Sequence, residues 1–93
     1  MKKTSGNGGK KVGFEFVAMP GSEVFVAGTF NDWNPMQHRM RDNPNGGVYR
    51  MTLALPPGRH EYKFVVNGEW CADPKGSESA PDGHGSVNSV ISV

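Results

Sequence analysis

At ninety-three residues and 35% hydrophobic content, with thirteen glycines and seven prolines, the chain is sized for one domain with a modest core and many turns. The formal charge of +1 hides an asymmetry: Lys2, Lys3, Lys10 and Lys11 stand at the start, and residues 12–93 hold six basic against nine acidic side chains. A body of about −3 lacks the basic footprint of a nucleic-acid binder, and no apolar run reaches the roughly eighteen residues of a membrane-spanning helix.

Residues 1–11 have the charge of a signal-peptide start without the apolar stretch that should follow, so they read as a flexible basic arm or leader. The domain proper is expected over residues 12–93. Val12–Ala18 alternates, with Phe14 and Phe16 on one face, and Pro20-Gly21 ends it. Glu23–Ala27 sets Val24 and Val26 against Phe25 and Ala27, and the turn-rich segment Gly28–Pro35 carries Trp33. A weaker extended piece, Gln37–Arg41, precedes the loop Asp42–Gly47. Val48–Ala54 alternates again before Pro56-Pro57-Gly58, and Asp73–Gly85 reads as a long polar loop ahead of a last strand, Ser86–Val93. No window keeps a helical period. The pattern predicts an all-β fold, an antiparallel β-sandwich of about seven short strands, immunoglobulin-like in architecture though without that family's Cys…Trp…Cys signature.

The most informative stretch is Glu61–Trp70. Asn67-Gly68 between alternating runs predicts a two-residue turn with positive φ at both positions. That turn sets Val66 opposite Glu69, Val65 opposite Trp70, Phe64 opposite Cys71 and Lys63 opposite Ala72. Lys63, Val65 and Trp70 then share one face, and Tyr62, Phe64 and Cys71 the other. An indole beside an ammonium on a flat sheet outlines a binding surface. Trp33 sits in a polar loop, where an exposed indole also wants a flat, partly apolar cover such as a sugar ring. Asn88 and Ser86 share a face of the last strand, and an amide offers a donor and an acceptor together. Core packing of both indoles and simple solvation of Lys63 and Asn88 are the plainer readings of the same residues.

Other chemistries find little support. His38, His60 and His84 are scattered, with no pair at metal-ligand spacing and no second cysteine beside Cys71, so neither a metal nor a cofactor is expected. No nucleophile–base motif or phosphate-cradling glycine loop occurs. Asp32, Glu69 and Asp73 qualify as glycosidase carboxylates by residue type alone, so no catalytic residue is assigned. The aromatic strand Lys10–Val17 matches an RNA-recognition strand only in outline, because Glu15 lies between its phenylalanines. Cys71 reads as a small core residue beside Phe64, and a single thiol fits a reducing, cytoplasmic setting.

Three motifs together carry a resemblance: Gly28-Thr-Phe-Asn-Asp-Trp33; Tyr62-Lys-Phe-Val-Val-Asn-Gly-Glu-Trp70 with Asp73-Pro74; and Gly85-Ser-Val-Asn-Ser-Val-Ile-Ser-Val93. In order and spacing the chain resembles the family 48 carbohydrate-binding modules, and among them the glycogen-binding domain of the AMP-activated protein kinase β subunit. The resemblance implies a non-catalytic β-sandwich that binds α-1,4-linked glucan, glycogen or starch-like maltooligosaccharide. It further implies that Trp33 and Trp70 stack on glucose rings while Lys63, Ser86 and Asn88 fix the hydroxyls. His84 falls where the family's leucine pokes through the ring of glucoses, a departure that bears on the choice between branched, linear and cyclic glucans. A kinase or a glucan-modifying enzyme is the implied protein partner. The competing expectation is an interaction or scaffolding domain whose sugar site is vestigial.

Overall fold

A computed structural model describes residues 9–43, 45–76 and 78–93. Nine strands occur among them: β1 Lys10–Val17, β2 Val24–Gly28, β3 His38–Arg39, β4 Arg41–Asp42, β5 Val48–Leu55, β6 Arg59–Val66, β7 Glu69–Cys71, β8 Ser79–Pro81 and β9 Val87–Ser92. Every pairing is antiparallel, and the strands form two sheets, β1-β5-β4 and β3-β2-β6-β9-β8, with β7 added to β6. The expected β-sandwich is what forms.

Alternation decides what fills the space between the sheets. Val12 and Phe14 of β1, Val24 and Val26 of β2, Tyr49 and Leu55 of β5, and Tyr62 and Phe64 of β6 join Met40 in one core. Phe64, Val24 and Val26 are wholly enclosed, and Phe16 packs against the same cluster. The side chains one step out of phase on β6, Glu61, Lys63 and Val65, therefore stand on the outer face of the larger sheet.

Two features raise the strand count above seven. The piece Gln37–Arg41 does not run as one strand: Met40 turns into the core, its N–H bonds Val24 O at 2.7 Å, and the chain passes there from one sheet to the other. β3 accordingly pairs with β2 and β4 with β5. The second feature is β8, inside the stretch that reads as a loop. Its proline is tolerable because β8 is a sheet edge, bonded only to β9. β1 opens at Lys10, two residues before the expected start, so Lys10 and Lys11 belong to a strand, while residues 1–8 of the expected arm lie outside the described residues. Cys71 does pair with Phe64, yet it is only half-buried and stands outside the core, because β7 ends there at the sheet's margin.

Candidate functional site

The two indoles reach one place by different local devices. Trp70 is delivered by the β6–β7 hairpin, where Asn67 and Gly68 take φ of 51° and 86° as a two-residue turn requires. The observed register sets Val66 opposite Glu69 and Val65 opposite Trp70, as expected. Asn67 also ties the turn down: its Oδ1 accepts from Glu23 N at 2.9 Å, and its N–H donates to Glu23 O at 2.8 Å. Trp70 stands 46% exposed above Val65, which is buried although it belongs to the outer face.

Trp33 is delivered by a built loop. After β2 the chain makes one 3₁₀ turn, Thr29–Asn31, and leaves it through Asp32 and Trp33, both left-handed at φ 55° and 58°. The buried Asn31 holds this shape: its Oδ1 accepts from Gly28 N at 3.0 Å and its Nδ2 donates to Val26 O at 3.1 Å. Trp33 N donates to Gly28 O at 2.9 Å. Gly28 is extended, so no strain is at issue, but a methyl there would collide with Glu61 O and lie 2.7 Å from the Phe30 ring and 2.9 Å from Tyr62 Cβ. The loop delivers Trp33 with its ring centroid 6.5 Å from that of Trp70, the planes tilted by 47°. Two aromatic faces set at an angle suit a curved ligand better than a flat one.

The polar groups lie beside them. Trp33, Lys63, Trp70, Asp82, His84 and Asn88 line one open depression of about 460 Å³. Lys63 Nζ donates to Asp82 Oδ2 at 2.8 Å, with each side chain only 11% exposed. Asp82 Oδ1 accepts from the backbone N–H of His84 at 2.7 Å and of Ser86 at 3.1 Å, so one carboxylate closes the 82–86 turn and fixes the ammonium. The hydrogen bond from Lys63 and those two N–H groups hold the Asp82 carboxyl down at about 2. Asn88 is buried, and its Nδ2 donates to Glu61 Oε1 at 2.9 Å. Glu61 also accepts from Arg59 Nη1 at 2.7 Å, and these two bonds keep its carboxyl below the usual range. A carboxylate can only accept, so Glu61 fixes the amide orientation and leaves Asn88 Oδ1 as the acceptor.

Of the six expected site residues, the structure gathers Trp33, Lys63, Trp70, His84 and Asn88 around the depression. Ser86 is exposed and outside the lining, because β9 begins at Val87 and Ser86 still belongs to the turn closed by Asp82. Sequence reasoning missed Asp82 and Glu61, which orient Lys63 and Asn88. Asp82-Gly83 carries a turn signal, since an aspartate readily bonds the N–H two residues on, but nothing local points from it to Lys63. Among the described residues no group of three or more His, Cys, Asp or Glu could hold a metal ion. The arrangement offers two apolar rings, ammonium N–H groups and an amide acceptor, without a paired acid and base. Such a set of groups suits a neutral polyhydroxylated ligand with apolar ring faces.

Comparison with known proteins agrees. The family model described as the glycogen recognition site of AMP-activated protein kinase matches residues 11–93, nearly the whole chain. The 5'-AMP-activated protein kinase subunit beta-1 of Sus scrofa is 38% identical over 74 residues, covering 78% of this chain and 56% of that protein. Protein FLOURY ENDOSPERM 6, chloroplastic, of Oryza sativa subsp. japonica is 40% identical over 74 residues, 80% of this chain and 13% of that protein. Protein PTST homolog 2, chloroplastic, of Arabidopsis thaliana is 43% identical over 53 residues, 57% of this chain and 10% of that protein. The chain thus spans about half the length of these curated relatives, or less.

Proposed function

Because the chain belongs to the family of glycogen recognition sites of AMP-activated protein kinase, a non-catalytic carbohydrate-binding module, we propose that its Trp33–Trp70 face holds an α-1,4-linked glucan. Trp33 and Trp70 stack on the apolar faces of neighbouring glucose units, and their 47° tilt follows the natural curl of such a chain. Lys63 donates to ring hydroxyls, Asn88 accepts from them, and His84 bounds the groove where the imidazole can stack or donate. Ser86 contributes at the margin through its hydroxyl. The observation that carries this reading is the convergence of five side chains from the Gly28–Asn34 loop, the β6–β7 hairpin, the 82–86 turn and β9 on one depression. A vestigial site would not need Asp82 and Glu61 to orient its polar groups.

The protein containing this module works on or beside glucan without itself cleaving it, in company with a kinase or a glucan-modifying enzyme. Its half-buried, free Cys71 supports a reducing, cytoplasmic setting. So open a surface gives affinities of about micromolar to millimolar, or about −8 to −4 kcal/mol. Titration of maltoheptaose against the wild type and the Trp33→Ala/Trp70→Ala double variant tests the reading. Saturable binding by the wild type alone is expected; equal binding by both overturns it.

A further inference from the structure

Residues 12–93 contain six basic side chains, and four of them meet one of three carboxylates at close range. Arg50 and Lys75 share Glu15 at 2.9 and 2.8 Å, Arg59 meets Glu61 at 2.7 Å and Lys63 meets Asp82 at 2.8 Å. The other two, Arg39 and Arg41, flank the buried Met40 where the chain changes sheets. Arg39 comes only within 3.9 Å of Glu23, both side chains more than half exposed, and Arg41 has no acidic ion-pair partner among the described residues. Together with Arg50 they line a depression of about 450 Å³. Arg41 and Arg50 are direct cross-strand partners on the outer face of the smaller sheet. Like charges so placed repel, and Glu15, shared with Lys75, cannot neutralise both. The one carboxylate in the lining, Asp42, is already engaged, its Oδ1 accepting from Gly47 N at 2.8 Å. An acidic body has gathered half its cations at one spot.

A second observation ties the Arg39 edge of this depression to the glucan surface. On the outer face of the larger sheet Trp70 is paired with Val65, Val65 with Phe25, and Phe25 with Arg39. Directly paired residues share a face, so one row runs from the indole to the guanidinium across β7, β6, β2 and β3. Three strand spacings make about 14 Å, a span an oligosaccharide of a few units covers.

We propose that the depression bounded by Arg39, Arg41 and Arg50 is a subsite for a phosphate monoester borne on the glucan that Trp33 and Trp70 hold; it rests on the function proposed above. Neutral hydroxyls have no use for three guanidiniums. A phosphate dianion takes two forked donors at once and removes the Arg41–Arg50 repulsion.

The test compares maltoheptaose with maltoheptaose carrying one 6-phosphate, titrated into the wild type, Arg41→Gln and Arg41→Gln/Arg50→Gln. Arg41→Gln leaves the Arg50–Glu15 pair in place, which guards against a folding artefact. The phosphorylated ligand is expected to bind the wild type about tenfold tighter at low salt, with the gain shrinking at high salt. The gain falls in Arg41→Gln and vanishes in the double variant, while plain maltoheptaose binds all three alike. Equal affinity of the two ligands for the wild type, or a gain that survives the double substitution, overturns the proposal. If neither sugar binds the wild type, the glucan reading fails with its carrier; inorganic phosphate, followed on the Arg41 and Arg50 Nε–H resonances, then supports the anion site by shifting them or overturns it by leaving them still. A phosphoserine peptide that depends on these arginines more than the phosphorylated sugar does assigns the site to a protein ligand, and overturns the proposal too.

Discussion

Lys63 Nζ and Asp82 Oδ2 meet at 2.8 Å in the depression that the two indoles also line, with both side chains almost out of solvent. The ammonium has three N–H donors and spends one on Asp82, which leaves two for a ligand in a fixed direction. Asp82 meanwhile holds the turn that carries His84. Lys63→Met is expected to fold, because Asp82 keeps its two backbone donors, and to bind maltoheptaose about tenfold more weakly through loss of a charge-assisted hydrogen bond. Asp82→Asn weakens binding by a similar factor and lowers the melting temperature as well. Since Asp82→Asn already releases the ammonium that Lys63→Met removes, the double variant should bind about as weakly as Asp82→Asn alone. Simple additivity in that cycle would show the pair not to act as a unit.

The same pair fixes a pH dependence. Folding lowers the Asp82 carboxyl from its ordinary 3.8 to about 2. A depressed carboxylate contributes stability that is complete above the unfolded value and is lost as pH falls through the folded one. The difference in melting temperature between the wild type and Asp82→Asn should therefore stay constant from pH 7 to about 4 and close between 3.8 and 2. Glu61, also depressed, adds acid sensitivity of the same sign in both proteins, below its ordinary 4.5. A difference that already closes between pH 7 and 5 would rule out Asp82 as its source.

How much of this was legible beforehand depended on the range of the cause. The β6–β7 register followed from Asn67-Gly68 because the turn is local and admits one pairing, and Trp70 came out beside Lys63 as a result. Alternation alone grouped Phe14 with Phe16, Val24 with Val26 and Phe64 with Tyr62, and packing then turned those faces inward. The Met40 crossing could not be read in advance, since a five-residue extended piece with one apolar side chain looks the same whether it serves one sheet or two. Nor could Asp82, nineteen residues from Lys63 in a segment whose composition says loop; β8, which steers that segment past Lys63, has a proline and few β-formers. The site's aromatic half lies in local motifs, and its electrostatic half in tertiary pairing.

Gly28 and Asn31 make the case that the Trp33 loop is a rigid mount. Gly28→Ala has no room beside Glu61 O, Phe30 and Tyr62, none of them the free end of a flexible side chain. Overpacking of this kind costs about 1–3 kcal/mol, or roughly 10 °C in melting temperature for a domain this size. Asn31→Ala strands the buried Gly28 N–H, at about 1–3 kcal/mol, and takes a second donor from Val26 C=O, which keeps its ladder partner His38. Both variants should also lose maltoheptaose affinity when measured well below their melting points, as the indole is no longer held 6.5 Å from its partner. Full affinity in the folded fraction would mean the ligand itself can organise the loop.

Trp33 lets backbone and side chain be separated. A bulky residue at φ 58° occupies a left-handed conformation that costs an L-residue about 1–2 kcal/mol and glycine almost none. Trp33→Ala and Trp33→Gly both remove the indole, so they differ only in that backbone cost, partly offset by the roughly 0.5–1 kcal/mol of extra chain entropy glycine loses on folding. Urea denaturation should find Trp33→Gly more stable than Trp33→Ala by about 1 kcal/mol, while both bind maltoheptaose at least tenfold more weakly than the wild type. Were the alanine variant the more stable, the loop would not be storing strain to present the ring. Were the glycine variant to keep wild-type affinity, Trp33 would not stack on the sugar, and Trp70 with Lys63 and Asn88 would have to hold it alone.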